Sequence, residues 1–198
     1  MALLCFSLLP LSAEGQNGTI NGYEYVDLGL LSGLKWATCN VGASSPESYG
    51  SYYAWGEVVS KSCYIYNNSV TYGKNFGDIG GDSRYDVTRK KWGSTWRLPT
   101  KAEFDELLHG CTWQWTTLRG KNGYKVTSKK NGNSIFLPAA GWYYDTRRCG
   151  EWENCYYWSS TPDDSKNKYA CFLGFTGDYA RTSSSDRHCS HCVRPVSD

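Results

Sequence analysis

The segment Trp96–Leu108, WRLPTKAEFDELL, is the clearest local signal in the chain, and it constrains the fold because little else reads as helix. Thr100 is placed to cap a helix, and Glu103 three residues later completes a capping box. Phe104, Leu107 and Leu108 follow at i, i+3 and i+4 as one apolar stripe, and Gly110 stops the helix. Tyr85–Lys91 offers one or two further helical turns, closed by Gly93. The other segments are short runs between turn residues: strands over Tyr23–Leu28, Leu34–Cys39 and Tyr52–Trp55, a turn at Ser45–Gly50, and an irregular loop from Cys63 to Gly81. Tyr124–Ser128 and Ser134–Leu137 flank Asn131-Gly132, a strong hairpin signal. Nine Trp and sixteen Tyr beside a single Met require an aromatic core, in which each indole N–H and phenol O–H needs a partner or water. The expected fold class is therefore α+β: short antiparallel strands, one or two short helices packed on them, and extensive loops.

The 198 residues fit one ordinary domain. Residues 1–15, MALLCFSLLPLSAEG, carry an apolar run from Ala2 to Leu11 that is too short to span a bilayer and has the length of a signal-peptide apolar region. Ala13 and Gly15 suit cleavage before Gln16, although a positively charged leading segment is missing. Residues 16–21 then read as a linker and 22–198 as a single domain. Any membrane attachment would run through an N-terminal anchor at Cys5, but Leu4 is bulky where lipoprotein signals place a small residue. The expected location is extracellular or at the cell surface. A net charge of +2 without Lys/Arg clusters argues against nucleic acid as a partner. Nine Cys cannot all pair within one chain. Five of them, Cys149, Cys155, Cys171, Cys189 and Cys192, crowd the last fifty residues, and at least two of these are expected close enough to bridge.

Several segments follow one another in a familiar order. They are YEYVDLGL (Tyr23–Leu30), SGLKWATCNVGA (Ser32–Ala43), YYAWGE (Tyr52–Glu57), WRLPTKAEFDELL, CTWQW (Cys111–Trp115), GYKVTS (Gly123–Ser128), FLPAAG (Phe136–Gly141), YYWSSTP (Tyr156–Pro162) and VRPV (Val193–Val196). Together they resemble the Fibrobacter succinogenes major paralogous domain, abundant in secreted proteins of Bacteroidetes. The resemblance implies a C-type-lectin-like fold related to formylglycine-generating enzymes; it does not by itself imply chemistry. Some members of that family are targets of diversity-generating retroelements, which rewrite AAY codons to NNY, and NNY cannot encode Lys, Glu, Gln, Met or Trp. The thirty residues Tyr169–Asp198 contain none of those five types, whereas residues 1–168 contain 32. Lys166 and Lys168 do not fit NNY, so a rewritten tract begins after them or skips them.

The tract from about 157 to 192 is thus the expected ligand-contacting surface of a secreted or surface-displayed binding module, an adhesin or receptor-binding protein, and not of an enzyme. Its partner would be a protein or glycan on another cell or particle. The alternative is a fixed member of the same family that binds glycan or serves in assembly. Strand alternation in YACFLGF turns Leu173 and Phe175 to the core and Phe172, Gly174 and Thr176 outward. Gly177–Ser185 reads as turn and loop, and Asp186–Cys192 leads back to the VRPV strand. Candidate contact residues are Asp163, Asp164, Phe172, Gly174, Thr176, Asp178, Tyr179, Arg181, Ser183, Ser184, Ser185, Asp186, His188, Cys189 and His191. Function concentrates on such surfaces because the fold tolerates change there.

No catalytic, metal or cofactor site is assigned. His188-Cys189-Ser190-His191-Cys192 has zinc-ligand types, but five consecutive residues wrap poorly around one ion. Cys189 and Cys192 lack the motif that surrounds the reactive cysteines of formylglycine-generating enzymes. Cys189 with His191 lacks a visible orienting group and oxyanion site. Asp163-Asp164 and Glu151/Glu153 read as solvated turns, GDIGGD (Gly77–Asp82) as a loop, and Trp113, Trp115, Trp142 and Trp158 as core rather than sugar platforms.

Overall fold

The structure, a computed structural model, describes residues 17–198, so the leader expected at 1–15 lies outside the described residues. In chain order the elements are β1 (Gly18–Ile20), β2 (Tyr23–Asp27), β3 (Lys35–Ala37), β4 (Tyr53–Ala54), α1 (Val87–Trp92), β5 (Trp96–Arg97), α2 (Lys101–Gly110), β6 (Cys111–Leu118), β7 (Lys121–Ser128) and β8 (Ser134–Pro138). They continue with β9 (Trp142–Tyr144), β10 (Arg147–Cys149), β11 (Asn154–Pro162), β12 (Tyr169–Thr176), β13 (Ala180–Asp186), β14 (Ser190–His191) and β15 (Val196–Ser197). The stretch read as a linker contributes β1, which pairs with β2. No helix of the described residues is long and apolar enough to cross a membrane.

Four antiparallel sheets form, ordered β1-β2-β3-β15-β5, β10-β9-β14-β4, β11-β12-β13 and β6-β7-β8. Strand accounts for 41% and helix for 10% of the described residues. This corrects the expected α+β, C-type-lectin-like class: the architecture is mostly β, with two helices beside four sheets. The physical reason lies in the turns. Arg119 and Gly120 both take positive φ, 46° and 79°, which reverses the chain tightly enough to pair β6 with β7 over eight residues each. β6 was legible only as an aromatic motif. β13 was read as loop because Ser- and Thr-rich ARTSSSD lacks an apolar alternation, yet it pairs with β12 from Ala180 to Asp186.

The helical reading itself holds. Thr100 Oγ1 accepts from Glu103 N–H while Glu103 reaches back to Thr100 N–H, and Phe104 and Leu107 are buried. α1 is capped by Asp86, whose buried carboxylate also accepts from the N–H groups of Gly81 and Leu98.

The return segment Arg187–Ser197 joins all four sheets. β14 enters one, β15 another, and Cys192 forms a parallel bridge with Tyr157 of β11. The fully buried Arg194 donates to the carbonyls of Ala37, Thr38 and Phe136 at 2.9, 2.8 and 2.9 Å, and to Asn40 Oδ1 at 2.9 Å. Phe136 lies on β8, the third strand of the remaining sheet. Val193, expected buried on a strand, is buried between β14 and β15.

Replacing Arg194 with Met removes the donors of three carbonyls. It should cost at least about 3 kcal/mol in urea unfolding, because each buried carbonyl left without a partner costs about 1–3 kcal/mol; a loss below about 1 kcal/mol would mean that water reaches them. Leu173→Ala, at a fully buried position, should cost about 2–5 kcal/mol in the same assay.

Candidate functional site

In the three-stranded sheet β11-β12-β13, the central strand β12 is covered on both faces. Register places Tyr157, Leu173 and Thr182 in one row and Tyr156, Gly174 and Arg181 in the next, so alternate rows face opposite ways. On the inner face Cys155, Tyr157, Leu173 and Phe175 enter the main core. The opposite face carries Tyr156, Trp158 and Phe172 and meets a second aromatic cluster. There His191 stacks on Trp158, with ring centroids 3.7 Å apart, and Phe172 and Tyr156 each stand 5.3 Å from His191.

This corrects several of the candidate residues. Phe172 does face away from Leu173, but that face is buried under rings, and Phe172 is only 8% exposed. Gly174 is buried against the same rings: a Cβ there would come within 2.5 Å of the Phe172 ring and 3.1 Å of Tyr156. His188, Cys189 and His191 are buried. Burial pushes the Cys189 thiol up to about 12, which makes a nucleophilic thiolate there costly. Ser183, Ser185, Asp186 and Thr176 are half-buried. Asp163 is half-buried and accepts from Ser165 N–H and Oγ, while Asp164 is exposed; both line a polar cavity of about 770 Å³ with Phe76, Tyr169 and Arg187. Asp178, Tyr179, Arg181 and Ser184 are exposed.

Three of those exposed residues flank a single groove. Asp178, Tyr179, Ala180, Arg181 and Thr182 form one wall of a hollow of about 570 Å³; Asp105 and His109 of α2 stand opposite, with Leu108, Trp113 and Tyr124 between. The arm is held at two points. Tyr124 Oη donates to Gly177 O at 3.1 Å, and Thr182 Oγ1 donates to Asp105 Oδ1 at 2.7 Å. Burial alone would raise the Asp105 carboxyl, but hydrogen bonds from Lys101 and Thr182 outweigh it and keep the group ionised. The Arg181 guanidinium lies 5.3 Å from the Tyr179 ring centroid. Behind the arm, Tyr156, Phe172, Gly174, Tyr179 and Arg181 enclose a recess of about 30 Å³. Ring faces, a guanidinium and carboxylates converge, an arrangement suited to non-covalent recognition of an amphipathic ligand. Among the described residues no group of three or more His, Cys, Asp or Glu converges to hold a metal ion.

Sequence reasoning missed the framework side of this groove: Asp105, Leu108, His109, Trp113 and Tyr124. One signal was available. Leu108 belongs to the apolar stripe of α2, yet it stays half-buried where Phe104 and Leu107 are covered. Trp113 and Trp115 alternate on β6 and are likewise half-buried.

A family model described as a domain of unknown function (DUF8237) matches residues 115–196, less than half the chain. No curated protein and no solved structure matches. The matched stretch runs from Trp115 to Val196, taking in Tyr124 and the arm but not α2.

Neither ring nitrogen of His191 has a hydrogen-bond partner, and burial pulls its imidazole well below the ordinary 6.5. The folded chain therefore holds His191 neutral while the unfolded chain protonates it near 6.5. The stability this supports is fully present above that pH and drains away as the pH falls below it, by up to about 1.4 kcal/mol per pH unit. His188, also lowered by burial, adds a dependence of the same sign. Urea unfolding at pH 7.5 and 5.0 should show His191→Phe more stable than wild type and less sensitive to acid. An unchanged acid slope would place the proton elsewhere.

Proposed function

We propose that the chain is a secreted or surface-displayed ligand-binding module whose C-terminal tract is diversified, with the groove beside the β12–β13 arm as its binding site. The observation that carries this reading is the division of labour at the groove. Asp178, Tyr179 and Arg181 come from the tract, are exposed, and stand over a floor of framework rings. An arm preorganised by hydrogen bonds to Tyr124 and Asp105 loses little entropy on binding. Tyr and Arg are the side chains that most often dominate interface energy. A protein or glycan displayed by another cell or particle is the partner class that fits an open, amphipathic groove of this size.

Two observations support diversification. Residues 169–198 lack every amino acid that NNY codons exclude. The buried His191, with two unpartnered nitrogens among aromatic rings, is a side chain poorly matched to its surroundings. Such a mismatch is expected where coding changes are sampled on a fixed scaffold, since it costs about 1–3 kcal/mol without abolishing the fold. The fixed-domain reading draws its own support from Gly174, where any side chain would collide with Phe172 and Tyr156.

DNA beside the gene separates these two readings. A reverse transcriptase and a near-identical repeat differing at adenines decide for diversification, and their absence decides for the fixed domain. Binding is tested with a glycan array and a displayed peptide library. Tyr179→Ser combined with Arg181→Ser should leave the melting temperature within about 2 °C, since exposed substitutions usually change stability by under about 0.5 kcal/mol. The same change should weaken captured ligands at least tenfold. Retained binding would remove the site from the arm.

A further inference from the structure

Among the described residues, Arg187 is a buried cation without a counter-ion. It is 1% exposed and donates only to backbone carbonyls: Nε to Tyr169 O at 2.9 Å, and Nη1 to Thr71 O at 3.3 Å and Lys74 O at 2.8 Å. Those bonds use Nε–H and both hydrogens of Nη1, and leave the two on Nη2 without an acceptor. The Trp55 ring centroid lies 4.3 Å from the guanidinium carbon and shields it from water on that side. Carbonyl dipoles offset part of the desolvation cost, but a buried charge is ordinarily paired with an opposite one.

Arg187 also lines the polar cavity of about 770 Å³, which has two built walls. The loop 163–168 forms one. It is held by Asp163 N–H to Tyr169 O at 3.1 Å, Tyr169 N–H to Lys166 O at 3.0 Å and Arg187 N–H to Lys168 O at 2.8 Å. Asn75 and Phe76 form the other, and Asn167 Nδ2 ties the two together by donating to Gly73 O at 3.0 Å. Phe76 is braced edge-on by Trp55 and Tyr85, with centroids 6.0 and 4.8 Å away, and Phe76 and Tyr169 are both only half-buried. Lys166 and Lys168 on the rim are exposed and have no ion-pair partner among the described residues. Open ring surface, carboxylates and amides therefore surround an unpaired guanidinium.

We propose that this cavity is a second binding site, which takes an acidic sugar whose carboxylate pairs with Arg187. The sugar's hydroxyls donate to Asp163 and Asp164, and its apolar face lies on the Phe76 or Tyr169 ring. Each part of the lining selects for this chemistry. A neutral sugar leaves Arg187 unpaired. A phosphate dianion pairs with it but is repelled by two carboxylates that a hydroxyl-bearing monoanion turns into acceptors. The volume lies in the range of small-molecule sites and accommodates one or two sugar rings. The cavity shares no residue with the groove beside the β12–β13 arm, so either site can fail alone.

The full chain, labelled with ¹⁵N, is titrated with glucuronate, glucose and inorganic phosphate while its NMR spectrum is followed. Glucuronate should bind saturably with a Kd below about 10 mM, and glucose and phosphate at least about tenfold more weakly. The shifted signals should be the Arg187 Nε–H and the amides of residues 163–169. Arg187→Met should abolish binding, but it also strips three carbonyls of their donor, so a surface variant carries the test. Lys168→Glu, at an exposed side chain, should leave the melting temperature within about 2 °C and weaken glucuronate at least about fivefold. Tyr179→Ser with Arg181→Ser should leave glucuronate binding unchanged. Equal affinity for glucose, tighter binding of phosphate, shifts confined to the groove, an unaffected Lys168→Glu or no saturation by about 50 mM glucuronate would each overturn the proposal.

Discussion

The buried guanidinium of Arg194 holds together elements that no sheet connects. It reaches Ala37 and Thr38 at the end of β3, Phe136 on β8 and Asn40 between them. Asn40 in turn donates to Tyr157 Oη at 3.3 Å, and that hydroxyl donates to Pro138 O at 3.2 Å. One cation thereby ties three of the four sheets through carbonyls that have lost their water. Lys cannot replace it, because the planar fork serves several acceptors at once from a fixed geometry. Arg187, seven residues earlier, does the same for the other side of the molecule. It donates to the carbonyls of Tyr169, Thr71 and Lys74 and lies 4.3 Å from the Trp55 ring centroid. These two arginines bracket β14, so the last turn of chain before the C-terminus carries much of the tertiary organisation.

That placement changes what the tract is. The sequence pattern presents the tract as an outward strand face and a loop on a fixed scaffold, with Leu173 and Phe175 turned to the core. In the fold the tract divides. Asp178, Tyr179, Arg181 and Ser184 face solvent on a projecting arm, while Phe172, Gly174, His188, Cys189 and His191 are interior. A change on the arm alters a side chain that faces solvent. A change at the interior positions alters packing between sheets, where volume and polarity both matter. Any diversification compatible with this fold is therefore tolerated in the arm and filtered in the stem.

How much of this was legible in the residues follows from the range of each interaction. Local signals were read correctly: the capping box at Thr100 and Glu103, the Asn131-Gly132 hairpin, the alternation of Leu173 and Phe175. The β13 strand was not legible, since a run of Thr and Ser declares neither face until β12 is there to pair with it. Phe172 was assigned its correct side, but a strand pattern cannot say whether that side is wet. The approach of His191 from β14 and of Tyr156 and Trp158 from β11 buries it. The α+β expectation erred for a related reason. The one strong helical signal drew weight away from weak strand signals, each of which becomes decisive only through a partner distant in sequence. Nothing local marks Arg187 or Arg194 as buried: the acceptors of Arg194 lie 58 to 157 residues away in the chain, and those of Arg187 are Tyr169 on β12 and Thr71 and Lys74 of a distant loop.

The groove inherits both kinds of determinant. Its floor and far wall, Trp113, Tyr124, Leu108 and Asp105, are set by the framework, and its near wall comes from the tract. The contacts between them are few and polar: a phenol to the Gly177 carbonyl and a threonine to Asp105. The first uses a backbone acceptor, so it survives side-chain substitution within the arm. Only the second depends on a tract side chain, and Ser could supply the same hydroxyl. An arm anchored mainly through its backbone, with its side chains free to face solvent, separates the energetics of position from the identity of those side chains. The stem, buried on both faces and secured through Arg187 and Arg194, supplies the rigidity on which that separation depends.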